Sequence, residues 1–357
     1  MNVANPTTSS PIEPIHGDAV WHGRDMAQRT DWIHHLEHRE IGELETAIAR
    51  IRAQGTDIID VSKDDFPLPS LGSALTKIRR DLVDGRGFAL IRGIPVERWS
   101  HEDVALAFWG IGRYLGEAIM QNRKGHVLGH VTDIGVDPTN PRFRGYQSAA
   151  DLMPHTDIAS DLVALLCLRP AKSGGLSMIA SASAIFNEIL ERRSDLAQVL
   201  TQPFYIDRRE EIPEGKKPYY QLPVFNPYRG KTTVCYIRRF VESAQRFDDV
   251  PALSQAQLEA MDLIDELAKS DTIRLDMDFQ PGDIQIVNNL TTLHSRTGYE
   301  DWPNPEQRRH LLRLWFAVSD GWPLPSAYFE RYDADEHGRP RGVTVPGVRP
   351  VASLVPV

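Results

Sequence analysis

The triplet His155-Thr156-Asp157 is the first point in this sequence where side chains could bind a metal ion. It directly precedes the apolar run 162–168, which predicts a strand. On an extended backbone, residues i and i+2 point the same way, so the imidazole and the carboxylate can converge on one ion. The alternative is a surface histidine beside an unrelated aspartate.

Two other His-x-Asp triplets occur, and neither predicts a chelating pair. His16 and Asp18 lie in a Pro-rich segment that would not fix their geometry. His101 and Asp103 follow Ser100, a predicted helix N-cap. Inside a helix, residues i and i+2 point to different faces, so that pair cannot hold one ion well.

A further candidate ligand, His294, follows a turn and a strand much later in the chain. The segment 281–283, Pro-Gly-Asp, predicts a tight turn, and 283–289 predicts the strand that it starts. A strand started by a tight turn is a rigid way to bring a distant histidine to a metal. The alternative for His294 is a core histidine bonded to a backbone carbonyl.

The segment 307–315 places arginines in an apolar strand. Alternation puts Arg309 and Arg313 on one face. A buried charge is costly unless it is paired, and the planar guanidinium fork suits a carboxylate. The pattern indicates either a bound carboxylate or an ion pair with a protein acid. Arg308 adjoins Arg309, and a shift of one residue in register would exchange them.

Across residues 85–330 the sequence resembles the taurine dioxygenase-like (TauD/TfdA) group of iron(II)- and 2-oxoglutarate-dependent oxygenases. The carrying motifs are HTD at 155–157, SGGLS at 173–177, PGD at 281–283, His294, and QRRHLLR at 307–313. The resemblance implies a mainly β fold with added helices, built on a double-stranded β-helix (jelly-roll) core.

The resemblance also implies that His155, Asp157 and His294 are the metal ligands and form the catalytic centre. Two imidazoles and one carboxylate leave three open positions on Fe(II), which 2-oxoglutarate and O2 would occupy. A C–H bond is then oxidised, and succinate and CO2 are released. Related halogenases replace the carboxylate with a small residue, so Asp157 favours hydroxylation, desaturation or ring closure over halogenation.

For the cosubstrate, the resemblance implies that Arg309 binds the distal carboxylate of 2-oxoglutarate. Ser177 stands where the family commonly has a threonine that assists this carboxylate, and it keeps the hydroxyl. Arg313 matches a position that can face the primary substrate. One departure is Pro154, which precedes the first ligand where an aromatic residue is common.

Candidate substrate contacts lie in residues 117–154, which show little periodicity and predict a functional loop. The polar candidates in this predicted lid are Gln121, Asn122, Tyr146 and Gln147. Arg313, with Arg142 or Arg144, suggests an anionic group on the substrate, such as the carboxylate of an amino acid. These features predict a small-molecule substrate.

His126 and His130 are spaced like a helical zinc pair in this segment, but interleaved glycines disfavour a helix there. We therefore expect them to be loop residues rather than a zinc site. We expect His310 to be a packed or surface residue.

The chain divides into an irregular N-terminal arm, 1–30, and a single oxygenase domain, 31–357. The domain is predicted to comprise a helical part (31–116), the lid segment (117–154) and the jelly-roll core (155–320). Apolar spacing predicts helices at 40–54, 71–84, 100–115, 183–192 and 254–269. Strands are predicted at 88–94, 162–168, 176–180, 203–207, 219–225, 233–237, 272–277, 283–289 and 309–318.

The composition indicates which kinds of binding partner and which cellular location fit this protein. The net charge of −9 argues against nucleic acid or an anionic membrane as a partner. No apolar run is long enough to span a membrane, and the N-terminus lacks the pattern of a secretory signal. Cys167 and Cys235 both lie in apolar runs and predict buried thiols, which fits a cytoplasmic protein. Both a monomer and a homo-oligomer stay open.

Three functions compete at this point. The first is the iron(II)- and 2-oxoglutarate-dependent dioxygenase, as a hydroxylase or as a desaturase or cyclase. The second is a catalytically silent metal- or ligand-binding protein of the same fold, for which a complete triad with Arg309 has no physical need. The third is a zinc hydrolase, which Arg309 and the lack of an evident glutamate base disfavour.

Overall fold

The computed structural model describes residues 12–135, 144–331, 334, 339 and 342–356. Its α-helices, in chain order, are α1 (Gly23–Met26), α2 (His38–Gln54), α3 (Leu71–Asp84), α4 (His101–Gly112), α5 (Ala182–Arg192), α6 (Ser194–Leu200), α7 (Arg238–Ser243) and α8 (Gln255–Lys269). Within these described ranges, no helix is long and apolar enough to cross a membrane.

The strands of the amino-terminal half are β1 (Ile33–His35), β2 (Phe88–Arg92), β3 (Glu117–Ala118), β4 (His126–Val131), β5 (Leu152–His155), β6 (Leu162–Arg169), β7 (Ser173–Gly174), β8 (Ser177–Ser181) and β9 (Pro203–Asp207). Those that follow are β10 (Tyr219–Pro223), β11 (Phe225–Tyr228), β12 (Lys231–Val234), β13 (Arg274–Met277), β14 (Ile284–Asn288), β15 (Thr292–Arg296), β16 (Tyr299–Glu300), β17 (His310–Ala317) and β18 (Val351–Ala352).

The larger sheet has the order β1-β2-β14-β6-β17-β4-β18, with β3 paired to β17. Its central strands alternate between two buried faces. On β17, Leu312, Leu314 and Phe316 pack in the core that includes helices α2, α3 and α4. Trp315, between them, faces the opposite core. Because both faces are covered, these strands are nearly continuous apolar runs in the sequence.

The smaller sheet has the order β13-β8-β15-β5. Ile179 of β8 and Leu293 of β15 share one hydrophobic core with Val163 and Val287 of the larger sheet. Two sheets that pack face to face over a common core form a sandwich. Helices α5, α6 and α8 complete this core through residues such as Ile185. This two-sheet sandwich with added helices agrees with the predicted fold, which is mainly β with a jelly-roll core.

The turn before β14 is fixed by charge and by backbone geometry. Asp283 is fully buried and accepts two hydrogen bonds from Arg92, at 2.8 and 2.7 Å. Gly282 has φ +86°, and a side chain there would collide with the Ile94 carbonyl. Glycine is therefore required at this position. The predicted turn is a rigid start for β14, and β15 with His294 follows it directly.

Three local expectations need correction. Residues 126–131 are not a loop, because His126–Val131 is strand β4, paired with β17 in the larger sheet. The strand predicted at 233–237 ends at Val234, and helix α7 starts soon after it. Helix α6 was not predicted. These segments are too short for apolar spacing to determine their secondary structure, and tertiary packing determines it instead.

The start of the described chain is short of regular structure but packs on the domain. The indole of Trp21 is buried and donates a hydrogen bond to the Arg86 carbonyl. The backbone N–H and carbonyl of Ile15 both bond to the Asn187 amide. Residues 1–11 of the predicted arm, and residues 136–143 of the predicted lid, lie outside the described residues.

Candidate metal centre

Strand pairing brings the two candidate histidines together. His155, the last residue of β5, lies directly opposite His294 of β15 in the antiparallel ladder. Their ring centroids are 4.3 Å apart. Asp157 follows two residues after the strand, and one ligand atom from each of the three side chains lies within 4.8 Å of the others. Across the described ranges, no other group of His, Cys, Asp or Glu meets this criterion.

The hydrogen bond of His155 fixes its tautomer. Its Nδ1–H donates to the Met153 carbonyl at 2.8 Å, which leaves the Nε2 lone pair available as a ligand. Burial lowers the pKa of His155. Burial, together with the neighbouring His155, also lowers the pKa of His294 to about 3. Both rings are therefore neutral near pH 7, the form that binds a metal.

Asp157 is charged at this site because several donors surround it. Burial alone would raise the pKa of its carboxyl, but the positive charge of Arg313 and the hydrogen bond from Trp315 act in the opposite direction, and the pKa is lowered. The Oδ2 atom accepts a hydrogen bond from Trp315 Nε1 at 2.6 Å. The carboxylate is therefore held in one orientation by contacts to Oδ2, and its other oxygen, which has no hydrogen bond from a described residue, can bind a cation.

The backbone around Asp157 is held by side chains that the sequence analysis missed. Asn289 accepts a hydrogen bond from the Asp157 N–H at 2.7 Å and donates to the carbonyls of Asp157 and Ser160. Arg331 donates to the same Asp157 carbonyl at 3.0 Å. Asn289 directly follows β14, and a buried amide at a strand end was the one available signal for this role.

These residues fit a bound divalent metal. Two neutral imidazoles and one carboxylate on one side of a site are the ligand set of mononuclear iron(II) oxygenases. His294 Nδ1 is buried and has no hydrogen-bond partner among the described residues. A buried, unpaired ring nitrogen is costly in a protein without a ligand. The unpaired ring nitrogen and the types of the three side chains both indicate a metal at this position.

A cavity of about 440 Å³ opens directly over the three side chains. Its walls include Tyr146, Ile158, Leu165 and Phe240, so much of the lining is apolar. A cavity of this size can enclose a small organic substrate. The three candidate ligands therefore lie where a substrate and a metal would meet.

Arg313 lies inside this cavity, next to Asp157 rather than at the far end. Its Nη1 is 3.5 Å from Asp157 Oδ2, and its Nε donates to Gln121 Oε1 at 2.8 Å. The guanidinium is stacked on Tyr146, with Cζ 4.5 Å from the ring centroid. Gln121 is itself buried and donates to the Arg313 carbonyl, so it positions Arg313 as well as lining the cavity.

Arg309 is buried, and the neighbouring Arg308 is not. Arg308 donates to carbonyls of the exposed loop at Trp302 and Pro303, so the inward-facing arginine is Arg309. Burial lowers the pKa of Arg309 to about 10. Its Nη1 has no partner and no acid forms an ion pair with it, within the residues that the structure describes. The alternative of an ion pair with a protein acid is therefore not observed.

The surroundings of Arg309 are cationic and aromatic. Arg296 and Arg309 both lie over the ring of Tyr299, with Cζ 4.6 and 5.2 Å from its centroid. Ser177 pairs with Arg296 across β8 and β15, and its hydroxyl bonds to Gln285. Neither Arg309 nor Ser177 lines the 440 Å³ cavity. The structure therefore places both at a separate buried position from the predicted substrate contacts.

The remaining candidates are divided between two places. Tyr146 lines the cavity over the metal centre, whereas Asn122 does not. Asn122 forms a turn, in which its Oδ1 accepts from the Lys124 N–H and its amide contacts His126 Nδ1. Arg144 also lines the cavity. Arg142 and part of the lid lie outside the described residues.

The other histidines with suggestive spacing have protein partners. His130 Nδ1 lies 2.7 Å from His310 Nε2, and His130 Nε2 lies 2.8 Å from the Ser353 carbonyl. His310 is thus packed, as expected. His101 and Asp103 lie in the first turn of α4, where Ser100 caps the helix.

Comparison with solved structures supports the fold. An asparagine oxygenase in complex with Fe(II), 2S,3S-3-hydroxyasparagine and succinate matches 80% of this chain and 93% of its own, with TM-score 0.60 and 18% identity. The non-heme iron oxygenase OrfP in complex with Fe and alpha-ketoglutaric acid matches 87% of this chain and 100% of its own, with TM-score 0.61 and 16% identity. These likenesses confirm the predicted fold class.

Curated relatives match over most of their length. FR-33289 synthase of Streptomyces rubellomurinus is 31% identical over 321 residues, which cover 88% of this chain and 94% of that protein. Uridine-5'-phosphate dioxygenase of Amycolatopsis sp is 30% identical over 271 residues, which cover 72% of this chain and 92% of the relative.

A protein-family model also matches this chain, in agreement with the solved structures and the curated relatives. The model of the family described as "Taurine catabolism dioxygenase TauD, TfdA family" matches residues 50–315. This range contains the three candidate ligands, the turn before β14 and both buried arginines, Arg309 and Arg313. The family resemblance found in the sequence is confirmed, and the chain belongs to the TauD, TfdA family of dioxygenases.

Proposed function

We propose that this chain hydroxylates a C–H bond of a small anionic substrate, using Fe(II), 2-oxoglutarate and O2 and releasing succinate and CO2. The observation that carries the proposal is the buried meeting of His155, Asp157 and His294 beneath a substrate-sized cavity. Fe(II) with 2-oxoglutarate supplies the oxidising power, and the protein supplies position and shape. Desaturation or ring closure would use the same centre.

Each side chain has a distinct task in this proposal. His155 and His294 would bind the metal as neutral rings, and Asp157 as a carboxylate whose orientation Trp315 and Arg313 fix. The apolar walls of the cavity would exclude water from the reacting carbon.

We assign the distal carboxylate of 2-oxoglutarate to Arg309. The buried guanidinium has no described protein acid beside it, and a carboxylate would satisfy its unpaired Nη1. Ser177, on β8 of the smaller sheet, is proposed to assist. Its buried hydroxyl hydrogen-bonds to the buried amide of Gln285.

The substrate class follows from the charges of the cavity and from the relatives. Four arginines (Arg144, Arg238, Arg239 and Arg313) and three acids (Asp151, Asp157 and Glu242) line the cavity. The excess of positive charge in this lining favours an anionic substrate. The structural neighbours are named with hydroxyasparagine and hydroxy-L-arginine, and one curated relative is named for uridine 5'-phosphate. All are small molecules with an acidic group. The buried free thiols of Cys167 and Cys235 fit our proposal of a cytoplasmic enzyme.

The proposal is tested by adding Fe(II) and then 2-oxoglutarate to the full chain without oxygen. A weak visible charge-transfer band is expected only with both. The double variant Asp157→Ala with His294→Ala should lose the band. A matched double variant, His16→Ala with Asp18→Ala, alters an exposed His-x-Asp triplet and should keep it.

Activity is tested by succinate release with amino acids, organic acids and nucleotides as candidate substrates. Stimulated release by one of them supports the oxygenase. A band without succinate release for any compound indicates the silent binding protein instead. Zn(II)-dependent hydrolysis that needs no 2-oxoglutarate indicates the hydrolase.

A further inference from the structure

A second cavity, of about 330 Å³, meets the cavity over the metal centre. Arg144 and Tyr146 line both and form the boundary between them. Tyr146 is the ring on which Arg313 stacks, and Arg313 contacts Asp157. A continuous row of side chains therefore links the second cavity to the candidate metal ligands.

The second cavity is strongly basic. Its described lining contains four cationic side chains and one acidic side chain: Arg123, Lys124, Arg144, Arg209 and Glu211. Arg144 already uses the acid, because its Nη2 lies 2.8 Å from Glu211 Oε2. The lining acids therefore leave a positive excess. Cations held together in a partly buried space repel each other unless an anion joins them.

Arg209 is the buried member of this group. Its residue is 9% exposed, and its Nε has no hydrogen-bond partner among the described residues. Burial and the charges of Arg239 and Arg144 lower its pKa. Its Cζ lies 5.7 Å from the centroid of the Phe240 ring, and Arg144 Cζ lies 5.5 Å from the same centroid. Two guanidiniums thus converge where the two cavities meet.

The backbone at this point is strained. Arg209 and Glu210 have φ of +53° and +64°, in the left-handed region that side chains other than glycine rarely adopt. The Asp207 carboxylate stabilises the turn by accepting a hydrogen bond from the Arg209 N–H at 2.8 Å. Strained backbone is often found at binding sites, and here it carries a buried arginine that lines the cavity.

We propose that the second cavity binds a phosphate-class dianion carried by the substrate, at the end remote from the oxidised carbon. Arg209 and Arg144 would donate to its oxygens, and Arg123 and Lys124, which are exposed, would attract it at the rim. One carboxylate would leave most of this charge uncompensated, whereas a dianion with three acceptor oxygens matches it. The inference rests on the proposed function, because it places one end of the proposed enzyme's substrate in the second cavity.

The test uses the full chain with Fe(II) and 2-oxoglutarate in the absence of oxygen, and inorganic phosphate as the probe. Phosphate binding is measured by calorimetry, with acetate as the monoanion for comparison. The visible band, recorded in the same sample, reports whether the metal centre is disturbed. Wild type should bind phosphate at least tenfold more tightly than acetate, with no change in the band.

Two variants are expected to change phosphate affinity in opposite directions. A folding defect would only weaken binding, so it cannot explain both changes. Arg209→Gln should weaken phosphate binding at least tenfold. Glu211→Gln removes the competing acid and should strengthen it severalfold. Arg24→Gln, on an exposed arginine far along the chain from this group, is the matched control and should change nothing.

The outcomes separate the two proposals. Equal phosphate affinity in wild type, Arg209→Gln and Glu211→Gln would overturn the dianion site, as would preference for acetate. An intact visible band in that case would leave the proposed oxygenase function standing. A missing band in wild type would instead count against the oxygenase, whether or not phosphate binds.

Discussion

Arg313 and Trp315 approach the same oxygen of Asp157: Arg313 Nη1 lies 3.5 Å from Oδ2, and Trp315 Nε1 donates to it at 2.6 Å. The two residues are neighbours on one face of β17, so a single strand sets both contacts. Donors that hold one carboxylate oxygen direct the other toward the metal position. Partners of this kind commonly tune metal affinity.

Replacing Trp315 with phenylalanine should weaken metal binding about 10- to 100-fold, because the hydrogen bond that orients Asp157 is lost while the ring is kept. Calorimetric titration of the full chain with Mn(II), which avoids oxidation, measures the change. Trp322→Phe is the matched control, since that indole donates to the exposed Asp84 instead. Equal metal affinity in Trp315→Phe and wild type would contradict this role.

Arg309→Ala should weaken 2-oxoglutarate binding about 100-fold and leave Fe(II) binding nearly unchanged. Removing one member of a buried charge pair costs about 2–5 kcal/mol, and Arg309 is not among the candidate ligands. The growth of the visible band with added 2-oxoglutarate gives one affinity, and Fe(II) titration without it gives the other. Arg308→Ala, at the surface, is the control. Parallel loss of both affinities would show that Arg309 does not act on the cosubstrate.

His155 and Asp157 were predictable as candidate ligands because residues i and i+2 on an extended backbone point the same way, and His294 because a turn and a strand lead to it. The pairing of His155 with His294 across two strands was not, since nothing local in the sequence fixes which strands are neighbours. The family resemblance supplied that step.

Other parts of the site depend on long-range contacts that no spacing encodes. Gln121 was predicted to contact substrate, yet it also braces Arg313 across 192 positions of sequence. His126 and His130 were expected in a loop because glycines interrupt the segment, but pairing with β17 makes it a strand. Glycine disfavours a helix without excluding a strand that has partners on both sides.

Asn289→Ala should lower the free energy of unfolding by about 3 kcal/mol, because it leaves the buried Asp157 N–H and two carbonyls without their amide partner. Denaturant unfolding of the metal-free chain measures it. Asn304→Ala removes only an exposed cap of a short helical turn and should cost less than about 1 kcal/mol. Similar losses in both variants would mean that the amide of Asn289 contributes little.

The paired histidines His130 and His310 should make the folded chain lose stability in acid. A row of hydrogen bonds through two neutral imidazoles accounts for their contacts: Arg169 Nη2 donates to His310 Nδ1, His310 Nε2–H donates to His130 Nδ1, and His130 Nε2–H donates to the Ser353 carbonyl. A proton added to either acceptor nitrogen would break a link. Burial, together with His130, lowers the pKa of His310 to about 3, and burial also lowers that of His130.

Because the pKa of His310 is lower in the folded state than its usual 6.5, the unfolded chain binds more protons between these values. The stabilising effect is therefore complete above about pH 6.5 and is lost as the pH falls toward 3. The free energy of unfolding should fall by about 1.4 kcal/mol per pH unit for this one group. His310→Gln keeps a donor but cannot be protonated, so its stability should fall less steeply between pH 6 and pH 4. Denaturant unfolding at several pH values measures the slopes, with the exposed His38→Gln as control. If the free energy of unfolding fell equally steeply with pH in wild type and in His310→Gln, the hydrogen bonds between the two neutral imidazoles would not be what stabilises the pair.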